Sequence, residues 1–239
     1  MARKPRNAPG NIVYHVMNRT WGRHDLFEND ADYAAFERVL AQALERDPSM
    51  RLCGYCLLPN HFHLLLWPTE DRTLSRFMQW MTMTHTQRWH AHRHSAGRGH
   101  LYQGRFKSFP VQDGSHFLKV CRYVERNPVR ANLADRAEQW RWGSLAVRLE
   151  KVGDLDGKLA AWPTRRPSDW LERVNEPQDE RELAALRRST ARGRPFGSSA
   201  WTITTAQALG IDSALRPVGR PAKPSAGAGN EREDDRNGF

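Results

Sequence analysis

Two histidines stand two residues apart in the stretch Leu57-Leu58-Pro59-Asn60-His61-Phe62-His63-Leu64-Leu65-Leu66-Trp67. Pro59 in front and Pro68 behind bound an apolar run of ordinary strand length. Strand alternation puts His61, His63, Leu65 and Trp67 on one face and Phe62, Leu64 and Leu66 on the other. The first set places two imidazoles about 7 Å apart on a rigid element, close enough to share one metal ion. The same pattern also suits a pair of hydrogen-bonded surface histidines. A second pair, Tyr123 and Asn127, is spaced i, i+4, so the two share a helix face one turn apart. Taken alone they read as a buried tyrosine and a helix-ending asparagine. Cys53 and Cys56 form a C-x-x-C that, with the two histidines, raises the idea of a zinc-stabilised module. Residues three apart in a strand face opposite ways, so the thiols converge only if the chain bulges there; both are expected in or near the core.

The elements that must position these groups follow from periodicity. Asn11 to Arg19 reads as a first strand, with Tyr14 and Val16 on one face and Val13, His15 and Met17 on the other. His15 is expected to be a polar residue on an exposed strand face. Asn29 or Asp30 caps a helix to about Arg46, with Tyr33, Phe36, Leu40 and Leu44 along its apolar stripe. Met50–Leu58 and His61–Trp67 form a hairpin through Pro59-Asn60. A helix from about Thr73 to His94 carries Leu74, Phe77, Met78, Met81 and His85, and His90, His92, His94 and His100 give no defined ligand spacing around it. Tyr102 to Val111 reads as a further strand, basic residues interleaved with aromatics as on a nucleic-acid surface. Gly114-Ser115 opens a helix with Phe117, Val120, Cys121 and Val124 on one side, closed against Pro128. After about Glu150 the texture turns Gly-, Pro- and charge-rich, with short helices expected near Trp170, over Glu180–Ser189 and over Trp201–Leu209. From Arg216 onward Pro, Gly, Ala and charge dominate, as in a disordered tail.

The chain has 239 residues, a formal net charge of +10 and a sequence pI near 10.1. Six of its 37 basic residues are lysine and 31 are arginine. Arginine grips phosphate through a planar fork and stacks on bases, which favours a nucleic-acid partner; a GC-rich genome would produce the same bias. Three cysteines give no disulfide framework, and neither a signal peptide nor a run of about 20 apolar residues is present, so a cytosolic protein with no membrane partner is expected.

Four stretches in order resemble the single-tyrosine HUH transposases, and most closely the REP-associated tyrosine transposases of bacteria. They are Tyr14-His15-Val16-Met17-Asn18-Arg19, Leu58-Pro59-Asn60-His61-Phe62-His63, Tyr102-Gln103-Gly104-Arg105-Phe106 and Tyr123-Val124-Glu125-Arg126-Asn127-Pro128-Val129-Arg130-Ala131. The resemblance covers about residues 8 to 150. It implies an α+β, ferredoxin-like sandwich with a central antiparallel sheet and helices on one face. It also implies a catalytic domain over 1–150 and a mostly helical or irregular DNA-binding extension over 151–211, which leaves 212–239 as the disordered tail read from composition. Carried over residue by residue, it makes His61, His63 and Asn127 the ligands of Mg²⁺ or Mn²⁺ and Tyr123 the nucleophile. The product would be a 5′-phosphotyrosine on single-stranded DNA folded into palindromic hairpins. Arg19, Arg105, Lys107, Arg122, Arg130, Arg192 and Arg194 are the expected DNA contacts, with Arg187 and Arg188 beside the last two. The resemblance further suggests a nucleoid-associated protein, and a monomer rather than a dimer, the extension occupying the surface a dimer would use. The competing reading is a non-catalytic, hairpin- or sequence-specific DNA-binding regulator on the same fold.

Overall fold

Pro59-Asn60 reverses the chain between two apolar strands, and the remaining elements stack on the hairpin that results. In the computed structural model, which describes residues 6–97, 99–151 and 153–216, β1 (Val13–Arg19), β2 (Met50–Leu58), β3 (His61–Pro68) and β4 (Lys107–Val111) form one sheet. Its order is β2-β3-β1-β4 and every neighbouring pair is antiparallel. β3 and β1 are thus the inner strands. The register sets Met17 and Cys56 on either side of His63, and Arg19 and Leu58 on either side of His61.

α1 (Asp30–Arg46) begins where the Asn29 side chain accepts from the Asp32 N–H, which satisfies one of the first-turn donors. Its Tyr33, Phe36 and Leu40 pack with Leu74, Phe77, Met78 and Met81 of α2 (Thr73–His92) over Tyr14, Val16, Phe62, Leu64 and Leu66. The other sheet face is just as apolar: Val13, Cys53, Cys56, Leu58, Leu65, Phe109 and Val111 all turn that way. It is closed by α3 (Ser115–Glu125) through Phe117, Val120, Cys121 and Val124. Helices therefore cover both faces of the sheet rather than one, because two apolar faces must both be removed from water.

α3 stops at Glu125. Pro128 has no N–H to continue the ladder, and a new short helix, α4 (Asn127–Arg130), follows at once. After α5 (Ser144–Glu150), the C-terminal segment returns to the same face. Trp170 and Val174 of α6 (Trp170–Asn175) and Leu183 and Leu186 of α7 (Glu180–Arg192) join the cluster beneath α3. The buried Glu125 carboxylate ties these parts together, accepting from Ser144 Oγ and Trp170 Nε1, both at 2.8 Å. Beyond α7, Phe196 bridges to the outer edge of β4: its N–H donates to the Pro110 carbonyl and its carbonyl accepts from Gln112. α8 (Ser199–Leu209) follows, capped by Ser198.

Three local expectations change. The fourth strand is shorter than Tyr102–Val111, because Gly104 at φ +134° takes the chain out of the extended region; Lys107–Val111 pairs continuously with β1, and before the break Gln103 N–H donates singly to the Arg19 carbonyl. A bulge between Leu52 and Gly54 turns Cys53 and Cys56 to the same face, yet both thiols are buried among apolar side chains. Of the segment expected as a tail, Asp212–Leu215 is a short 3₁₀ turn, and residues 217–239 lie outside the described residues. Among the described residues no helix is long and apolar enough to cross a membrane.

Candidate active site

β3 brings His61 and His63 to the face that α3 covers, and α3 brings Tyr123 to lie across them. The two imidazole centroids are 5.0 Å apart. Tyr123 stands edge-on to His63, ring centroids 5.9 Å apart with planes at 90°. One turn on, Asn127 is buried, and the Arg130 guanidinium links the two: its Cζ lies 4.2 Å from the Tyr123 ring centroid and its Nη2 donates to Asn127 Oδ1. The structure thus gathers His61, His63, Tyr123, Asn127 and Arg130 from two strand positions and one interrupted helix.

A sixth side chain, which the sequence reading left outside the site, completes the arrangement. His15 is not on an exposed strand face but 1% exposed, because the β1 face opposite Tyr14 and Val16 is the one α3 covers. Its Nε2 lies 2.8 Å from His63 Nδ1, with the rings stacked at 5.0 Å. His15 also meets Phe109 and the edge of Tyr123, at 4.8 and 6.1 Å between centroids. His61 has a partner of its own, Asn60 Oδ1, 2.6 Å from its Nδ1.

Each histidine of the pair therefore has Nδ1 engaged by a neighbour, which leaves Nε2 for another ligand. Burial, reinforced by the charges of Arg19 and Arg130, lowers His61 to about 4. Burial, with neighbouring His15 and His61 and the same two arginines, holds His63 far below the usual imidazole range. Both stay neutral near pH 7, the form that ligates metals. Among the described residues no three His, Cys, Asp or Glu side chains group for a metal. Two imidazoles with the Asn127 amide oxygen would offer a mixed nitrogen–oxygen set, of the kind that suits Mg²⁺ or Mn²⁺ better than the thiolate-rich sites zinc favours. Burial pushes the Cys53 thiol up to about 12 and raises Cys56 further, which opposes a thiolate site.

The expected DNA contacts divide into groups. Arg19 sits opposite His61 in register, with a buried, unpartnered Nε; Arg130 overlies Tyr123, and the exposed Arg187 on α7 acts on Arg130 through its charge. Arg105, Lys107 and Arg192, with Arg6 and Phe106, line a groove of about 830 Å³ between the β4 edge and the ends of α7 and α8. Arg188 and Arg194 line a separate small cleft beside Phe196. Arg122 is held by the C-terminal segment. Its Nη2 donates to the Glu176 and Pro177 carbonyls at 2.8 and 3.1 Å, fastening the link between α6 and α7.

Enclosing neutral histidines has a consequence for stability. Burial lowers His15 and His85 to about 3 and holds His63 well down, whereas in the unfolded chain each titrates near 6.5. Their stabilising contribution is complete above pH 6.5 and is lost as the unfolded chain takes up protons below it, at about 1.4 kcal/mol per group per pH unit. Burial raises Glu37 to about 6 and raises Glu125, which works in the opposite direction as pH falls. With His61, lowered to about 4, four imidazoles outweigh two carboxyls, so Tm followed by circular dichroism should drop steadily from pH 6.5 to 5. A flat or rising Tm over that range would contradict the enclosed neutral cluster.

Residues 9–127, about half of the chain, match the model of a family described as IS200-like transposase. The match takes in all four strands, α1 to α3 and Asn127. A solved REP-associated tyrosine transposase bound to a REP hairpin superposes with a TM-score of 0.51 at 16% identity, over 70% of this chain and 96% of that one, and shares the fold. A transposase described as putative, from Deinococcus radiodurans R1, aligns with a TM-score of 0.36 at 18% identity, over 55% of this chain and 98% of that one. A search of curated proteins finds no match. With the sheet, the helix laid across it and the motifs they carry inside the matched span, the chain belongs to the IS200-like transposase family, whose work is the processing of DNA.

Proposed function

We propose that this transposase nicks and rejoins single-stranded DNA at palindromic hairpins through a 5′-phosphotyrosine, using Mg²⁺ or Mn²⁺. The observation that carries the reading is the convergence of Tyr123 with His61, His63 and Asn127 on one side of the sheet. His61 and His63, through Nε2, and Asn127, through Oδ1, would hold the metal. A divalent cation bound there supplies Lewis-acid polarisation of the scissile phosphate.

The chain's own residues do the rest. Tyr123 Oη attacks the phosphorus and the bond from phosphorus to the 3′-oxygen breaks. The phenol gives up its proton and the departing oxygen gains one, leaving a 5′-phosphotyrosine and a free 3′-hydroxyl. The phosphodiester energy stays in the new bond, so the same step run backwards joins strands. Arg130 holds the Tyr123 ring from above and fixes the Asn127 amide, while its Nη1 is buried and without a partner. That unmatched donor suits a non-bridging phosphate oxygen, as does Arg19 Nε at the neighbouring strand end.

The groove beside β4 suits the rest of the substrate. Arg105, Lys107 and Arg192 offer cations to phosphates. The double variant Arg105→Ala/Lys107→Ala should bind a hairpin more weakly, and its log–log salt slope should be shallower by about 1.4 to 1.8. A slope equal to the parent's would remove the groove from the DNA path. A labelled hairpin oligonucleotide incubated with Mg²⁺ or Mn²⁺ tests the activity: nicking that EDTA stops supports the reading. Binding without nicking in either metal, across several hairpins, would leave a DNA-binding regulator.

A further inference from the structure

We propose that His15 is a positioning residue for the metal site, accepting a hydrogen bond from His63 Nδ1–H and so holding His63 in the tautomer whose Nε2 lone pair is available to a cation. The inference rests on the metal-dependent reading above and adds a residue to it.

The observation is a contact between two fully enclosed imidazoles, His15 Nε2 and His63 Nδ1, 2.8 Å apart. A single proton serves that contact, so only two arrangements exist. If His15 Nε2–H donates, His63 must carry its own proton on Nε2, and that nitrogen has no lone pair to offer. If His63 Nδ1–H donates, His63 Nε2 is free and His15 keeps its proton on Nδ1. Only the second is compatible with ligation by His63.

The contact is built by the fold. β1 pairs with β3 so that His15 stands opposite Leu65 and Met17 opposite His63, which makes His15 the diagonal neighbour of His63 on the same face. Phe109 packs on one side of His15 and the Tyr123 edge on another, so the ring is held on several sides while it accepts. His61 is set in the same manner by Asn60 Oδ1, an oxygen that can only accept, so its Nδ1 must carry the proton. Both candidate ligands thus present Nε2, one fixed by an amide oxygen and the other by an imidazole. An outer partner of this kind orients a ligand and raises its basicity, and its removal commonly costs 10- to 100-fold in metal affinity.

The test compares the full-length parent, His15→Phe and His15→Gln. Phe keeps a ring but has no acceptor; the Gln side-chain oxygen can reach His63 and accept. Mn²⁺ affinity, read by electron paramagnetic resonance, should fall about 10- to 100-fold in His15→Phe and be largely restored in His15→Gln. Metal-free hairpin binding should stay at the parent's level in both. In parallel, ¹⁵N NMR of the folded, metal-free parent should find the His63 proton on Nδ1, a readout that does not depend on the variants folding. Equal Mn²⁺ affinity in the parent and His15→Phe, or a His63 proton on Nε2, would overturn the assignment. Failure of the parent itself to bind Mn²⁺ would overturn the metal-dependent reading instead, and the NMR result would still decide the role of His15.

Discussion

A His63→Ala protein is expected to lose strand cleavage by at least a thousandfold while keeping most of its affinity for a hairpin. His63 offers one of two imidazole nitrogens in the proposed metal site, and the electrostatic help a bound cation gives a phosphoryl centre is worth several kcal/mol, each 1.4 kcal/mol being a factor of about ten in rate. In the proposed reading, binding would draw mainly on cations elsewhere, in the groove lined by Arg105, Lys107 and Arg192, and the substitution leaves these untouched. The substitution also opens space in a fully buried position, so retained hairpin binding doubles as the control for folding. Cleavage at the parent's rate would remove His63 from the chemistry.

Tyr123→Phe is the cleaner substitution and should have the larger effect on covalent chemistry. The ring packs edge-on against His63 and His15 beneath the Arg130 guanidinium, and a phenylalanine keeps all of those contacts. Only the hydroxyl is lost, so the fold, the histidine cluster and the DNA groove should be unchanged. What disappears is the atom that would become bonded to phosphorus. His63→Ala should slow the reaction from outside the covalent bond, whereas Tyr123→Phe should leave no adduct to be made.

Much of this arrangement is legible in the sequence because local rules decide it. Pro59-Asn60 between two apolar runs specifies the hairpin, period two sorts Phe62, Leu64 and Leu66 from His61, His63 and Leu65, and Asn29 marks the start of α1. The i, i+4 spacing of Tyr123 and Asn127 also survives the break at Pro128, since the chain resumes a helical turn at once.

What was not legible depends on long-range packing. Alternation places His15 on a face of β1 but does not say that α3 will cover that face, so the most enclosed member of the cluster reads as an exposed polar residue. The bulge that turns Cys53 towards Cys56 depends on how β2 registers with β3, and no turn residue announces it. Arg122 has the look of a surface cation on a basic helix. Only the arrival of the chain at Glu176 and Pro177, more than fifty residues on, turns it into a structural clamp. Arg130 is recognisable as basic, but its stacking on Tyr123 requires the helix break that swings α4 back over the ring.

The measurement that bears most directly on the phosphotyrosine mechanism compares the parent and Tyr123→Phe on one denaturing gel. Both are incubated with a 5′- or 3′-labelled single-stranded hairpin taken from palindromes flanking the coding region, in Mg²⁺ and in Mn²⁺. The account predicts a band of DNA covalently attached to protein in the parent, carrying the label from the 3′ side of the nick, and no such band in Tyr123→Phe although the variant still binds the hairpin. An adduct of equal intensity in both proteins would contradict Tyr123 as the nucleophile, and nicking without any adduct would contradict the covalent mechanism itself.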